Sequence, residues 1–548
     1  MRYRLLLLAG MLAVAGSAFG QINTTPDAIY YNGKVVTVDP KFTIEQAFAV
    51  KDGEFIAVGT SAKVKALAGK GTRQVDLNGA TVIPGMSDNH DHLYNATKYL
   101  RQGVDVVGVT SLAEMQNRLR AGVAKAKPGE VVFTTSGWTV RPPPTRKDLD
   151  AVSADVPIVV IGMRRGNGVF NSAALKLAGV SKENPTFDGA KLQTDPTGEP
   201  TGATPDYPQA VEMIDKVIPA WTPAAEEEMI GEGMRQRNAL GITSIRELSL
   251  WPKGVAAYYR LWRQNNLTLR VAVGVEFPDQ ENTIRNLKIM GIAVPFGDHW
   301  MRMDSLSEEP WTPGTMAPAP WKDFAMALNR IDWRPAPHVS GDPSRNAGPD
   351  DATNNTLDAY EAADRESSIK DKRWYVEHVP FATPEQIERM VKLGLIVSIQ
   401  STGYNPGFPV DLPKERFEHE NPVREFLEHK LVVIGGSDYG GPNAIEKAPN
   451  NPMIPFYFYV TRKSRAGAIV AGDEKISRED ALRIFTVNPA YATFEEKVKG
   501  SIAPGMLADF VILNQDIMTV PDDKLLATHP LATFVGGKRV YSAENTNF

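Results

Sequence analysis

Apolar runs of strand length alternate with polar, helix-capable segments through the middle of the chain. The runs are Val82 to His92, Thr243 to Leu248, Leu269 to Val275, Trp300 to Leu306, Arg334 to Ser340, Trp374 to Val379, Leu395 to Ser401 and Leu431 to Ser437. Helix signals lie between them. Thr383-Pro384-Glu385-Gln386 offers an N-cap, a proline at the first helical position and a capping glutamine, and Gly394 closes that helix. Alternating strands and helices predict a parallel sheet, and eight such units predict a closed α/β barrel of the (β/α)8 TIM-like kind. Two further strand-like runs, Val131 to Thr135 and Pro157 to Gly162, fall in residues 95–235. They are read as an insertion after the first barrel strand.

The two ends of the chain have a different rhythm. Asn32-Gly33, Asp52-Gly53 and Asn78-Gly79 each separate short apolar runs, the form of two-residue hairpin loops. Near the C-terminus, Ala508 to Leu513 reads as a strand. Thr533 to Val535, Gly536-Gly537 and Lys538 to Tyr541 read as a hairpin. These pieces predict one small β-sandwich domain built from residues 21–82 and 498–548, with the barrel, residues 83–497, between them.

Arg2 and Arg4 precede the apolar run Leu5 to Ala15, and Ala18-Phe19-Gly20 places small residues before Gln21. This is the form of a cleavable signal peptide covering residues 1–20, which predicts a periplasmic or secreted protein. The apolar run is short for a membrane span. Composition is that of an ordinary globular protein, 42% hydrophobic and 23% charged. A net charge of −5 over 548 residues gives no reason to expect nucleic acid or a membrane surface as partner. A small-molecule substrate is expected, and a homo-oligomer is compatible with the sequence. There is no cysteine, so disulfides and thiolate ligands are excluded, and any metal must be held by histidine and carboxylate.

His90 and His92 end the first apolar run, spaced i, i+2. Side chains at that spacing share one face of a strand, so Asp88, His90 and His92 are expected to line one side. Two imidazoles so placed can grip a divalent metal. In parallel barrels the chemistry sits at the C-terminal strand ends. His338 lies near the end of the fifth run, Glu377-His378 ends the sixth, and Ser437-Asp438 ends the eighth. Four of eight histidines thus fall where a barrel would bring them together. His299, His419, His429 and His529 sit in polar or helical context and are expected to be solvated.

With these residues in view, the chain resembles the amidohydrolase superfamily of metal-dependent hydrolases, in its amidohydrolase family 3 branch. The resemblance rests on Pro84 to His92, Gly137-Trp138, Asn171 to Leu175, Leu240 to Ser244, Glu377-His378, Gly436-Ser437-Asp438 and Gly500 to Asp509. It implies that His90, His92, His338 and His378 are metal ligands. It also implies that Asp438 binds metal and is catalytic, taking a proton from metal-bound water and passing it to the leaving group. Zinc is the metal expected.

Three departures from the family pattern shape the reading. The fourth strand, Trp300 to Glu309, has no lysine, which binuclear members of the family carry carbamylated as a bridge between two metals. The site therefore either holds one metal, or Glu308 or Glu309 takes the bridge. The reading adopted is one metal on His90, His92, His338 and Asp438, with His378 beside the water or substrate. Asn167 stands where relatives often have histidine and is taken as substrate-facing. Pro335 and Pro337 flank His338, and a bulge is expected there. Trp138, Trp311 and Tyr439 are candidates for an aromatic substrate surface. The expected activity is hydrolysis of a non-peptide C–N bond in an amide, N-acyl, N-formyl or cyclic amide compound. The alternatives are a metal-dependent lyase or isomerase, and a non-catalytic binding protein.

Overall fold

The computed structural model describes residues 25–548 apart from 107, 135–137, 162–167, 188–189, 205–212, 215, 219–220, 278–279, 309–316, 340–348, 402–403, 405–418, 440–449, 545 and 547. The proposed signal segment therefore lies outside the described residues, as do Asn167, Glu309 and Trp311.

Eight parallel strands form the centre: β1 (Met86–Asp91), β2 (Ile242–Leu250), β3 (Arg270–Val275), β4 (Met301–Glu308), β5 (Pro335–Val339), β6 (Tyr375–His378), β7 (Ile396–Gln400) and β8 (Val432–Gly436). Each pairs with its neighbour in chain order. The ring closes just past β8, where Asp438 N donates to His90 O at 2.7 Å and Asp91 bridges Tyr439. The fold is thus the TIM-like barrel predicted, with all eight runs in place.

The expected bulge at the prolines of β5 is not found. Its pairings with β4 and β6 show no register shift, whereas β2 and the β3–β4 pairing do. The physical reason is local. β5 pairs with β6 only through His338 and Val339, at or beyond the second proline. The N–H groups the prolines lack are not needed there.

Strands from both termini share one six-stranded sheet. Thr81–Pro84 runs antiparallel to Phe510–Leu513, with Pro84 opposite Phe510. A four-stranded sheet built from residues 28–76 packs on it. Tyr30, Phe48, Phe55, Phe510 and Phe534 fill the space between, and Phe510 stacks on Phe534 at 4.3 Å. Asp52-Gly53 is a hairpin loop with left-handed φ at both residues, as Lys51 opposite Glu54 requires. Asn32-Gly33 and Asn78-Gly79 are not hairpins. Each carries the chain from one sheet to the other, using the same left-handed backbone at Asn32 and Asn78 to turn the corner.

The segment after β1 forms its own four-stranded sheet, in the order Val169–Phe170, Ile158–Val160, Val132–Thr134, Gly103–Val104. Both faces are covered. Phe133, Val159 and Phe170 pack on one side, and Val132, Ile158 and Val160 on the other. Alternating side chains of one strand thus feed two cores.

Beneath the barrel, Glu495 ties β4 to the chain that returns to the sandwich. It meets Lys499 at 2.6 Å and Arg302 at 3.2 Å, and accepts from Thr493 at 2.9 Å. Burial disfavours its charge, but Lys499 and Arg302 override this and lower its pKa from 4.5 to about 2. A carboxyl so lowered contributes about 3 kcal/mol at neutral pH. That stability is present above the unfolded pKa and is lost as pH falls through the folded one. Glu495→Gln should therefore lower the thermal midpoint at pH 7, with the difference from wild type shrinking as pH drops from 5 towards 2. A difference that stays constant over that range would remove this role.

Candidate metal centre

His90, His92, Glu308, His338, His378 and Asp438 all converge at the C-terminal mouth of the barrel. The backbone departs from strand geometry where they do so. Ser249, Glu308, His378, Val379 and Asp438 have φ of 51°, 26°, 71°, 38° and 53°. Non-glycine residues held in the left-handed region are costly and collect at functional sites. At Gly436 a Cβ would lie 2.5 Å from His90 N, so only glycine lets β8 approach β1 this closely.

Two groups of possible ligands emerge, and His90 belongs to both. One is His90, His92 and Asp438. The other is His90, Glu308 and His378. Asp438 Oδ1 lies 3.5 Å from His90 Nε2 and 3.3 Å from His92 Nε2. Glu308 Oε1 lies 3.0 Å from His90 Nε2 and 3.3 Å from both His338 Nδ1 and His378 Nε2. Its other oxygen is 3.6 Å from His92 Nε2. Glu308 is therefore the carboxylate within reach of all four histidines.

The residues fit a divalent ion. His90 Nε2 is fully buried without a well-formed hydrogen bond, although two carboxylates lie beside it. Donor atoms within each group lie within 4.8 Å of one another, and all are nitrogen or oxygen, which suits zinc or a related divalent ion. For His90, His92, Glu308 and Asp438, desolvation opposes the charged form and mutual attraction overcomes it. His90 and Asp438 show the two signs: the Glu308 and Asp438 carboxylates hold His90 well above its ordinary range, and His90 and His92 hold Asp438 below its own. The pKa of His92 is raised to about 9 by Asp438 and Glu308 against the same burial. A bound cation would take the place of the imidazole protons, leaving the carboxylates ionised and the histidines neutral, as metal ligands must be.

The expected set divides differently from the single-ion reading. His338 does not join Asp438. It lies beside Glu308 and 2.8 Å from His378 Nε2. Asp88 also stays out of the cluster. Its Oδ1 accepts from His90 N at 3.3 Å and Ser437 N at 2.9 Å, fastening the barrel seam. His299, His419, His429 and His529 lie elsewhere and are exposed.

The aromatic substrate surface is not supported by the residues that can be placed. Trp138 is buried in the insertion's own core and donates Nε1–H to Ile161 O at 2.7 Å. Tyr439 is buried too, pairing with Asp91 and lying 5.5 Å from the Arg237 guanidinium.

Several residues around the cluster were not singled out by sequence. Glu377 Oε2 accepts from His90 Nδ1 at 2.8 Å, and Gln400 Oε1 accepts from His378 Nδ1 at 2.5 Å. Leu248 O accepts from His92 Nδ1 at 3.1 Å, and Ser249 Oγ donates to Glu308 at 3.1 Å. Glu377 carried one available signal, a charged residue in an apolar strand beside a histidine. The others carried none.

A family model described as "Amidohydrolase family" matches residues 73–541. The chain belongs to the amidohydrolase family. Family membership and the histidine–carboxylate cluster together make this amidohydrolase a metal-dependent hydrolase. Its relatives include the N-substituted formamide deformylase of Arthrobacter pascens, 26% identical over 93% of this chain and 97% of that one. Protein LONG AFTER FAR-RED 3 of Arabidopsis thaliana is also 26% identical, over 94% and 91%. Among solved structures, a metal-dependent hydrolase from Pyrococcus horikoshii OT3 superposes with a TM-score of 0.73, 22% identity and coverage of 90% and 99%. A mutant of the atrazine chlorohydrolase TrzN from Arthrobacter aurescens TC1, solved with zinc and atraton, gives 0.53 at 13% identity over 94% and 95%. These two likenesses concern the fold.

Proposed function

We propose that this amidohydrolase cleaves a non-peptide C–N bond in a small molecule, with an N-formyl or N-acyl amide or a cyclic amide as substrate. The observation that carries the reading is Asp438. Its side chain is 43% exposed while its Oδ1 lies within 3.5 Å of His90 and His92. One end of the residue thus faces the ligand group and the rest faces the mouth.

His90, His92 and Asp438 would hold one ion, and Glu308 and His378 a second beside His90, with His338 next to them. Zinc is the ion proposed. A divalent ion, when bound, supplies Lewis acidity that polarises a carbonyl and acidifies water. Asp438 accepts the proton of the attacking water and returns it to the leaving nitrogen. His378, held by Gln400 at Nδ1 and facing Glu308 at Nε2, stays fixed beside that path. The name of the deformylase relative supports a formamide as the first compound to try.

The test is a panel of N-substituted formamides, N-acyl amines and cyclic amides, run in H₂¹⁸O with metal-loaded protein. Hydrolysis places ¹⁸O in the product. Turnover without label would point to a lyase or isomerase, and metal-replete protein silent on the whole panel would point to a binder. Export belongs to the same proposal. The mature chain recovered from a Gram-negative host should begin at Gln21, and intact Met1 on the active protein would refute it.

A further inference from the structure

The barrel interior below the metal centre is not filled only with the branched apolar side chains usual there, such as Ile396 and Ile434. Glu377, Arg246, Asp304 and Arg334 cross it as a row of alternating charge, all at most 2% exposed. Glu377 is ion-paired with Arg246, whose Nε lies 3.9 Å from Asp304, and Asp304 is ion-paired with Arg334. Both guanidiniums lie over the Tyr375 ring, at 3.9 and 4.7 Å. Buried ion pairs of this kind add little net stability over apolar residues of the same volume, since desolvation offsets their attraction. Stability alone does not account for the row.

Its upper end does. Glu377 Oε2 accepts from His90 Nδ1 at 2.8 Å. His92 and His378 are also held at Nδ1, but by neutral acceptors, the Leu248 carbonyl and the Gln400 amide. Of these three, the histidine given a carboxylate at Nδ1 is the one common to both ligand groups. A charged acceptor fixes the tautomer and strengthens the donor at the opposite nitrogen.

We infer that Glu377 is a positioning residue for the metal centre: it holds the proton of His90 on Nδ1 so that Nε2 presents its lone pair, and Arg246 anchors the Glu377 carboxylate. The inference rests on the reading of the His90 groups as metal-binding. It adds that metal affinity is set from inside the barrel, by residues that touch neither ion nor substrate.

The experiment is chelator competition for Zn²⁺ on full-length apo-protein, with Co²⁺ visible spectra alongside, for wild type, Glu377→Gln and Glu377→Asp. Glutamine keeps an oxygen acceptor and removes the charge. Glu377→Gln should raise the metal dissociation constant about 10- to 100-fold and shift the Co²⁺ bands. Glu377→Asp, charged but one methylene short, should fall between. Unchanged affinity in Glu377→Gln overturns the inference and leaves the metal centre standing. So does weaker affinity with unchanged Co²⁺ bands, which marks general loosening. Wild type that binds no metal overturns both readings at once. If Glu377→Gln does not fold, Glu377→Asp decides: a dissociation constant raised several-fold supports the inference, and an unchanged one overturns it.

Discussion

Replacing Asp438 by asparagine should leave a protein that keeps its metal when the ion is in excess but turns substrate over about 10²–10⁴-fold more slowly, the usual contribution of a general acid–base group. The substitution is gentle. Asp438 is placed by its backbone, which donates to His90 O at 2.7 Å, and by a left-handed φ of 53° that asparagine tolerates well. Asparagine also keeps an oxygen facing His90 and His92. What it loses is the ability to accept a proton. The loss should therefore appear in kcat and kcat/KM together. His90→Ala, by contrast, should empty the site first, since it removes the ligand common to both groups. The measurement is kcat and bound metal for both variants at saturating metal. A metal-replete Asp438→Asn enzyme within a few-fold of wild type would move the base role to another group, with Glu308 the first to test.

The second large effect belongs to Glu308. Elemental analysis of active wild type should give about two ions per chain, and Glu308→Gln about one, with a rate loss on the order of 10²-fold or more. The geometry is the reason. The two oxygens of Glu308 face in different directions, one towards His92 and the other towards His90, His338 and His378. A carboxylate so placed can serve two ions, the part the resemblance gives to a carbamylated lysine. Glutamine retains the size and one weak oxygen donor but not the charge that balances two cations. A wild-type ratio that stays near one under metal excess would sink the bridge. It would also restore the single-ion reading, with His338 and His378 left to bind substrate.

The eight strands and the four histidines at the mouth were legible because each rests on local pattern. Apolar runs of the right length, punctuated by caps and glycines, survive folding almost unchanged. The i, i+2 spacing of His90 and His92 did the same for the first two of those histidines. Glu308 was visible only as a glutamate where a lysine was missing. Its role depends on β4 running two residues past the expected end and then turning at φ 26°. Glu377 was hidden by the rule that serves elsewhere. Strict alternation sends Glu377 and His378 to opposite faces, yet both serve the cluster, because His378 leaves strand geometry at φ 71°. Trp138 and Tyr439 are both buried, which their sequence context did not show. An aromatic residue near a motif gives no sign of which side it faces, and both are consumed by packing. The Asn-Gly pairs identified turns correctly but not their topology, since a corner and a hairpin ask for the same left-handed residues.

The barrel seam has a consequence for how the protein comes into being. His90 and Asp438 are joined backbone to backbone, yet almost 350 residues are threaded between them. Contacts of such long sequence separation form late, after the entropy of closing the intervening loop has been met. A ribosome that has just delivered His92 has made two ligands with nothing to complete them. The centre becomes whole only after β8 and the turn beyond it emerge. Ion capture would then come late in maturation, after the chain through residue 438 has been translated and wrapped into the barrel. A chain stopped short of residue 438 carries every histidine of the cluster and still lacks the closing contact, so it should behave as a weak, scattered chelator rather than a partial enzyme.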